Sequence, residues 1–207
     1  MTAANAYASS FNATGWSHVR YLDTPSISKG ESVSRGLKLT LREVNGAAKY
    51  RVFYKNGSGW TQLGDTTTTS FVDTTAVQGT ARTYTVRCMT AANAYASNFN
   101  ATGWSYTYNY SGGADYPVLK TAYMDGGGDL KVEIEDNTAT TDCVSYYAIY
   151  VWRNQKWEYV DSVYKGNHWI FDPDLVKGNS YYFTVLGCDT NNKFVTDYSA
   201  YGFFFKI

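Results

Sequence analysis

The sequence predicts an all-β fold built as two tandem β-sandwiches, each of seven short strands. Three observations predict it. Apolar residues alternate with polar ones at a period of two. Turn-forming clusters recur about every ten residues. The chain also repeats itself, and no segment keeps an apolar 3.6-residue period long enough for a helix.

The repeat comes first, because it sets the boundaries. "TAANAYASSFNATGWS" at Thr2–Ser17 returns at Thr90–Ser105 with one difference, Ser10 against Asn98. A more distant copy lies further on. "YTVRCMTAANAYASNFNATGWSY" at Tyr84–Tyr106 lies without a gap over "FTVLGCDTNNKFVTDYSAYGFFF" at Phe183–Phe205. Upstream, "LKLTL" (Leu37–Leu41) matches "LKVEI" (Leu130–Ile134), and "YRVFYKNGSGW" ending at Trp60 matches "YAIYVWRNQKW" ending at Trp157. "SFVDTTAVQGT" matches "WIFDPDLVKGN", with Gly79 over Gly178. Residues 20–110 and 111–207 therefore read as two full repeats, and residues 1–19 as the final-strand fragment of a preceding one. The chain then reads as a piece of a longer array.

The strands follow in order. Leu37-Leu39-Leu41, Tyr50-Val52-Tyr54 and Tyr84-Val86-Cys88 alternate in the first repeat; Leu130-Val132-Ile134, Tyr147-Ile149-Val151 and Phe183-Val185-Gly187 do so in the second. "NGSG", "GGG" and "TNNK" punctuate them as turns. The repeated stretch itself is expected to turn at "AANA", form the seventh strand at "YASNF", bulge at "NATG" and continue at "WSYTY".

These segments resemble fibronectin type III repeats. The resemblance is to the version carried by large surface proteins of Gram-positive gut (clostridial) bacteria, and it spans nearly the whole chain. Two departures stand out. The family's Trp on the second strand is replaced by Leu41 and Ile134. Its corner Tyr, three residues after the Gly, is kept as Tyr181 but is Arg82 in the first repeat. The resemblance implies a non-catalytic extracellular module, on the bacterial cell surface or secreted. It would act as an adhesin, or as a binding or spacer domain. The expected partners are neighbouring repeats and a host protein, such as mucin or immunoglobulin, or a glycan. An accessory module of a secreted carbohydrate-active enzyme is the alternative. The family topology also implies that the loops carrying Cys143 and Cys188 emerge at one pole. A Cys143–Cys188 disulfide is then one reading and three free thiols the other. Cys88, on the inward parity of its strand, is expected as a buried thiol.

Composition excludes several functions. Lys plus Arg is 18 and Asp plus Glu is 18, so the chain is neutral and has no electrostatic reason to seek nucleic acid. No apolar run is long enough to insert in a membrane. The cysteines form no CxxC pair and no cluster with His18 or His168, so neither a metal nor another cofactor is expected. Glu133 and Glu135 fall on the solvent face of one strand rather than in a cleft, so they are not read as a glycosidase pair. "DPD" at 172–174 and "DTNN" at 189–192 read as turn chemistry.

Aromatics are the remaining signal: 17% of residues, 20 of them Tyr. The outward positions of the first repeat read Arg51, Phe53, Lys55, Thr83, Thr85 and Arg87, a wet face. Those of the second read Ala148, Tyr150, Trp152, Tyr182, Thr184 and Leu186, an apolar and aromatic one. Tyr150, Trp152 and Tyr182 are the candidate binding residues, with Arg153, Asn154 and Gln155 as a polar rim. The first repeat is expected to have no counterpart.

Overall fold

The computed structural model describes residues 21–166, 168–170, 172 and 174–207. The expected pairing of Tyr7–Arg20 along a sheet edge, with Phe11 and Trp16 as buried contacts, lies outside these residues, as do Met1 and His18.

The described chain is all-β. The first repeat runs β1 (Ile27–Val33), β2 (Gly36–Leu41), β3 (Lys49–Asn56), β4 (Gly59–Thr66), β5 (Ser70–Asp73), β6 (Ala81–Met89) and β7 (Trp104–Thr107). The second runs β8 (Val118–Met124), β9 (Leu130–Glu135), β10 (Tyr146–Arg153), β11 (Lys156–Tyr164), β12 (Trp169–Ile170), β13 (Ser180–Cys188) and β14 (Phe203–Lys206), with a 3₁₀ turn at Thr141–Cys143. Strand orders match between the halves: β1-β2-β5 and β4-β3-β6-β7 in one, β12-β9-β8 and β11-β10-β13-β14 in the other.

The alternation read from sequence decides which side chains meet between each pair of sheets. Leu37, Leu39, Leu41, Tyr50, Val52, Tyr84, Val86 and Cys88 form one core cluster. Leu130, Val132, Tyr147, Ile149, Val151, Phe183 and Val185 belong to the other. The replaced Trp positions are absorbed: Leu41 is buried and Ile134 packs against its cluster. Tyr181 keeps the corner bond, its hydroxyl accepting the Val176 N–H at 3.0 Å. Arg82 makes a different corner. Its Nη1 donates to Asp73 at 2.9 Å and its guanidinium lies 4.7 Å from the centre of the Tyr54 ring.

The seventh strand departs from expectation. The ladder is regular only at β7; "YASNF" makes isolated bridges, Met89 with Tyr95 and Leu22 with Ser97. The reason is a side chain. The Ser97 hydroxyl accepts the Cys88 N–H at 2.8 Å, taking a donor that a paired strand would use. Thr196 does the same to the Gly187 N–H at 2.8 Å. The Thr85 and Thr184 hydroxyls then donate to the Asn100 and Ser199 carbonyls. The segment is thereby laid across the outer face of the sheet instead of along its edge.

All three cysteines are free and buried, as expected for Cys88, and no Cys143–Cys188 bond is present. Parity is the reason. Cys143 lies in the core cluster of the second repeat. Cys188 follows the outward residues Tyr182, Thr184 and Leu186 on β13 and pairs with Tyr146, so the sheet separates the two sulfurs. Burial pushes the Cys143 thiol up to about 12, and burial also raises Cys88 and Cys188. An aromatic disulfide reagent should therefore find almost no fast-reacting thiol in the native chain and all three after denaturation. A stoichiometry lower than three in denaturant without reductant would restore the disulfide.

The repeats touch through named groups. Val33 and Val72 of the first repeat join the core cluster of the second. Lys38 Nζ meets Asp142 Oδ1 at 2.6 Å and the Ala139 carbonyl at 2.8 Å, while Ser70 donates to Asp142 Oδ2 at 2.6 Å. The Asn191 amide reads the Asp65 backbone twice, accepting its N–H at 3.1 Å and donating to its carbonyl at 2.8 Å. Hydrogen bonding from Arg51 holds the Asp65 carboxyl below its usual range. Burial opposes ionisation of Asp142, yet Lys38 and Ser70 leave it lowered too. A carboxyl depressed in the folded state stabilises above its unfolded pKa, about 3.9, and this is lost as pH falls through the folded value. Melting temperature should thus stay level down to about pH 4 and fall below it. The double variant Asp65→Asn, Asp142→Asn should show a shallower fall; an equally steep one would assign the acid sensitivity elsewhere.

Candidate functional site

The outer face of the sheet β11-β10-β13-β14 carries rows of aromatic residues, because alternation and register add up across four strands. Trp152 stands opposite Trp157, ring centres 5.3 Å apart at 70°. Tyr150 stands opposite Tyr159 at 5.7 Å. On the far side Tyr182 stands opposite Phe204 at 4.9 Å. Val151 pairs with Phe183, so Trp152 and Tyr182 occupy neighbouring positions on adjacent strands. Trp152, Tyr182 and Phe204 are 45%, 47% and 58% exposed, so the row faces solvent. Tyr150 is half-buried, and burial raises its phenol.

The three candidate aromatics thus share one face, and the sequence reading missed part of it. Trp157, Tyr159 and Phe204 are legible in the outward parity of β11 and β14. The polar rim differs from expectation. Arg153 lies on the opposite side of its strand from Trp152, and its guanidinium is engaged by Glu158 at 2.7 Å and Asp172 at 3.2 Å. Asn154 and Gln155 are exposed, but they form the two-residue turn between β10 and β11, with φ of 54° and 61°. Their placement is that of a type I′ hairpin turn, and Asn154 donates to Glu158 at 3.2 Å.

A cleft of about 180 Å³ opens on the same face, lined by Tyr150, Trp157, Thr184, Leu186, Phe194 and Tyr198. The last two come from the crossing segment after β13. The first repeat has an equivalent cleft, of about 110 Å³, lined by Phe53, Trp60, Thr85, Arg87, Tyr95 and Phe99. These are the matched positions of the repeat, one for one. The exposed row itself has no aromatic counterpart, since Lys55, Thr83 and Ser105 stand where the second repeat has Trp152, Tyr182 and Phe204, but the cleft beside it does, and to that extent the expectation is corrected. Of the cleft's aromatic residues only Phe53 stands among the outward β3 and β6 positions; Trp60 comes from β4, and Tyr95 and Phe99 from the crossing segment. Gly103 and Gly202 permit this packing. At φ of 74° and 69° they lie under Trp60 and Trp157, where a Cβ would meet the indole at 2.9 and 2.6 Å.

Among the described residues no acid–base constellation accompanies these aromatics. His168 is exposed beside β12, and Glu135 pairs with Lys120 at 2.5 Å. Asp172 accepts the Asp174 N–H, and Asp189 accepts those of Asn191 and Lys193, the turn bonding expected of both segments. Among the described residues no group of three His, Cys, Asp or Glu is placed to hold a metal ion, and no helix is long and apolar enough to cross a membrane.

No family model matches the chain, and no curated protein matches it. Solved structures do. Two fibronectin type III domains of chicken tenascin match at 15% identity and a TM-score of 0.32, over 90% of this chain and 99% of that one. The FN1-FN3 domains of chicken CNTN1 match at 13% identity and the same TM-score of 0.32, over 84% of this chain. The matched part is 64% of the CNTN1 segment, so this chain spans less than two thirds of it. Likeness at this level gives no argument about ligand or role, and the all-β assignment stands on the strands themselves.

Proposed function

We propose that the chain is a non-catalytic, extracellular module of a bacterial surface protein. It consists of two tandem sandwiches of the fibronectin type III kind and binds a host protein, such as mucin or immunoglobulin, or a glycan. The observation that carries this reading is the open aromatic row of Trp152, Tyr182 and Phe204, backed by Trp157. Large aromatic side chains give contact area at low entropic cost, which is why binding surfaces use them. A flat face also suits a partner's surface better than a substrate undergoing reaction, which needs converging polar groups. The sequence resemblance supports the same reading, as does the strand order shared by both repeats. The test is a glycan array run beside immobilised mucin and immunoglobulin, with the intact chain as analyte. Saturable binding to one of these supports a binding module. Absence of binding to all of them leaves the spacer role alone.

A further inference from the structure

The cleft of the first repeat has a chemistry its twin lacks. Arg87 lies in it, its guanidinium carbon 4.0 Å from the centre of the Tyr95 ring and 5.4 Å from that of Phe99. Nε and Nη2 both donate to the Ser97 carbonyl at 3.1 Å, which fixes the guanidinium plane, and among the described residues nothing engages the Nη1 edge. Arg51 stands directly opposite Arg87 in the ladder. Like charges so placed destabilise a sheet unless something neutralises them. Arg51 is neutralised, since its Nε and Nη2 donate to the two oxygens of Asp65 at 2.7 and 2.9 Å. Lys49 reaches the same carboxylate at 3.2 Å. Two cations therefore share that carboxylate, and Arg87 stands across from them without one. Among the described residues no carboxylate lies within ion-pair distance of Arg87. The matched positions in the second repeat are Tyr146, Ala148 and Leu186, which carry no positive charge.

We propose that this cleft binds a carboxylate-bearing pyranose, a uronic or sialic acid residue of a glycan. The inference rests on the reading of the chain as a binding module, and it commits to a different repeat and a narrower ligand. The cleft, at about 110 Å³ and open to solvent, takes one face of a single ring and leaves the rest of the sugar outside. Trp60 stands edge-on to Phe99 at 6.1 Å and 80°, so the two present perpendicular apolar walls to the C–H face of a sugar. The carboxylate meets the free edge of Arg87, a charge-assisted contact that a neutral sugar cannot make.

The test follows the indole N–H of Trp60 by nuclear magnetic resonance in the intact chain. Methyl glucuronide and methyl N-acetylneuraminate are titrated separately, with methyl glucoside and acetate as controls, at low and high salt. At least one acidic glycoside should shift Trp60, more weakly at high salt, and which of them does so identifies the source. Arg87→Leu, which installs the residue of the second repeat, should weaken that binding about tenfold or more with the rest of the spectrum retained. Trp152→Ala should leave it unchanged. An equal response to methyl glucoside, an equal response to acetate, or full binding by Arg87→Leu would each overturn the proposal. If Trp60 stays unmoved while the intact chain still binds mucin or immunoglobulin, only this site falls. If both signals are absent, the binding-module reading falls with it.

Discussion

Asp73→Ala should destabilise the first repeat by about 3 kcal/mol, the largest single effect expected in the molecule. The Asp73 side chain is fully buried at the end of β5 and accepts four hydrogen bonds: from Tyr84 Oη at 2.9 Å, Arg82 Nη1 at 2.9 Å, and the Thr75 amide and hydroxyl at 3.0 and 2.7 Å. Removing it strands the Tyr84 hydroxyl in the core and leaves Arg82 without its carboxylate. Burial, then the Asp73 charge, already raises the Tyr84 phenol, so ionisation offers the hydroxyl no escape. Tyr84→Phe alone, which installs the residue of the second repeat, should cost only about 1 kcal/mol. In the Asp73→Ala background the same change should restore stability, because it deletes the orphaned donor. Urea unfolding of the four proteins measures this. Additive losses would show that Asp73 and Tyr84 act independently.

Trp152→Ala should weaken binding of whichever partner the screen identifies by about 2 kcal/mol or more, some thirtyfold. Trp152 is nearly half exposed, so its removal opens no cavity in either core cluster. It does uncover one face of Trp157, which remains held against the Gly202 turn. The thermal midpoint should therefore move little while affinity falls. Loss of stability with unchanged affinity would identify the aromatic row as a contact within the array, and the chain as a spacer.

What could be read from the sequence followed the alternation. Tyr50 and Val52, Tyr147 and Ile149, and Phe183 and Val185 are buried where a period of two puts them. The shared face of Tyr150, Trp152 and Tyr182 came from the same rule. The crossing segment was harder to see. "YASNF" has the residues of a strand, and only a hydroxyl competing for the Cys88 amide turns it onto the sheet face. That signal was present as Ser97 over Thr196 and Thr85 over Thr184, four hydroxyls at matched positions. Missing it hid Tyr95 and Phe99, and with them the cleft of the first repeat. The corner of the first repeat was hidden for another reason. Arg82 departs from the family, and its compensation by Asp73 depends on a residue nine positions away, across a turn.

The stretch at Thr90–Ser105 belongs to the scaffold and also furnishes a surface. The copy at Thr90–Ser105 lays Tyr95 and Phe99 over β6 and seats Gly103 beneath Trp60. Its distant relative places Phe194, Tyr198 and Gly202 in the same way.

The most direct test of the account is hydroxyl-radical footprinting of the intact chain, alone and with saturating mucin or immunoglobulin. Alone, Trp152, Tyr182 and Phe204 should be oxidised readily, while Tyr84, Tyr147 and Phe183 stay protected. With the partner that binds, protection should concentrate on Trp152, Tyr182 and Phe204. Protection of these three in the free chain, or equal oxidation of all three with a partner bound, would contradict a binding surface on the second repeat.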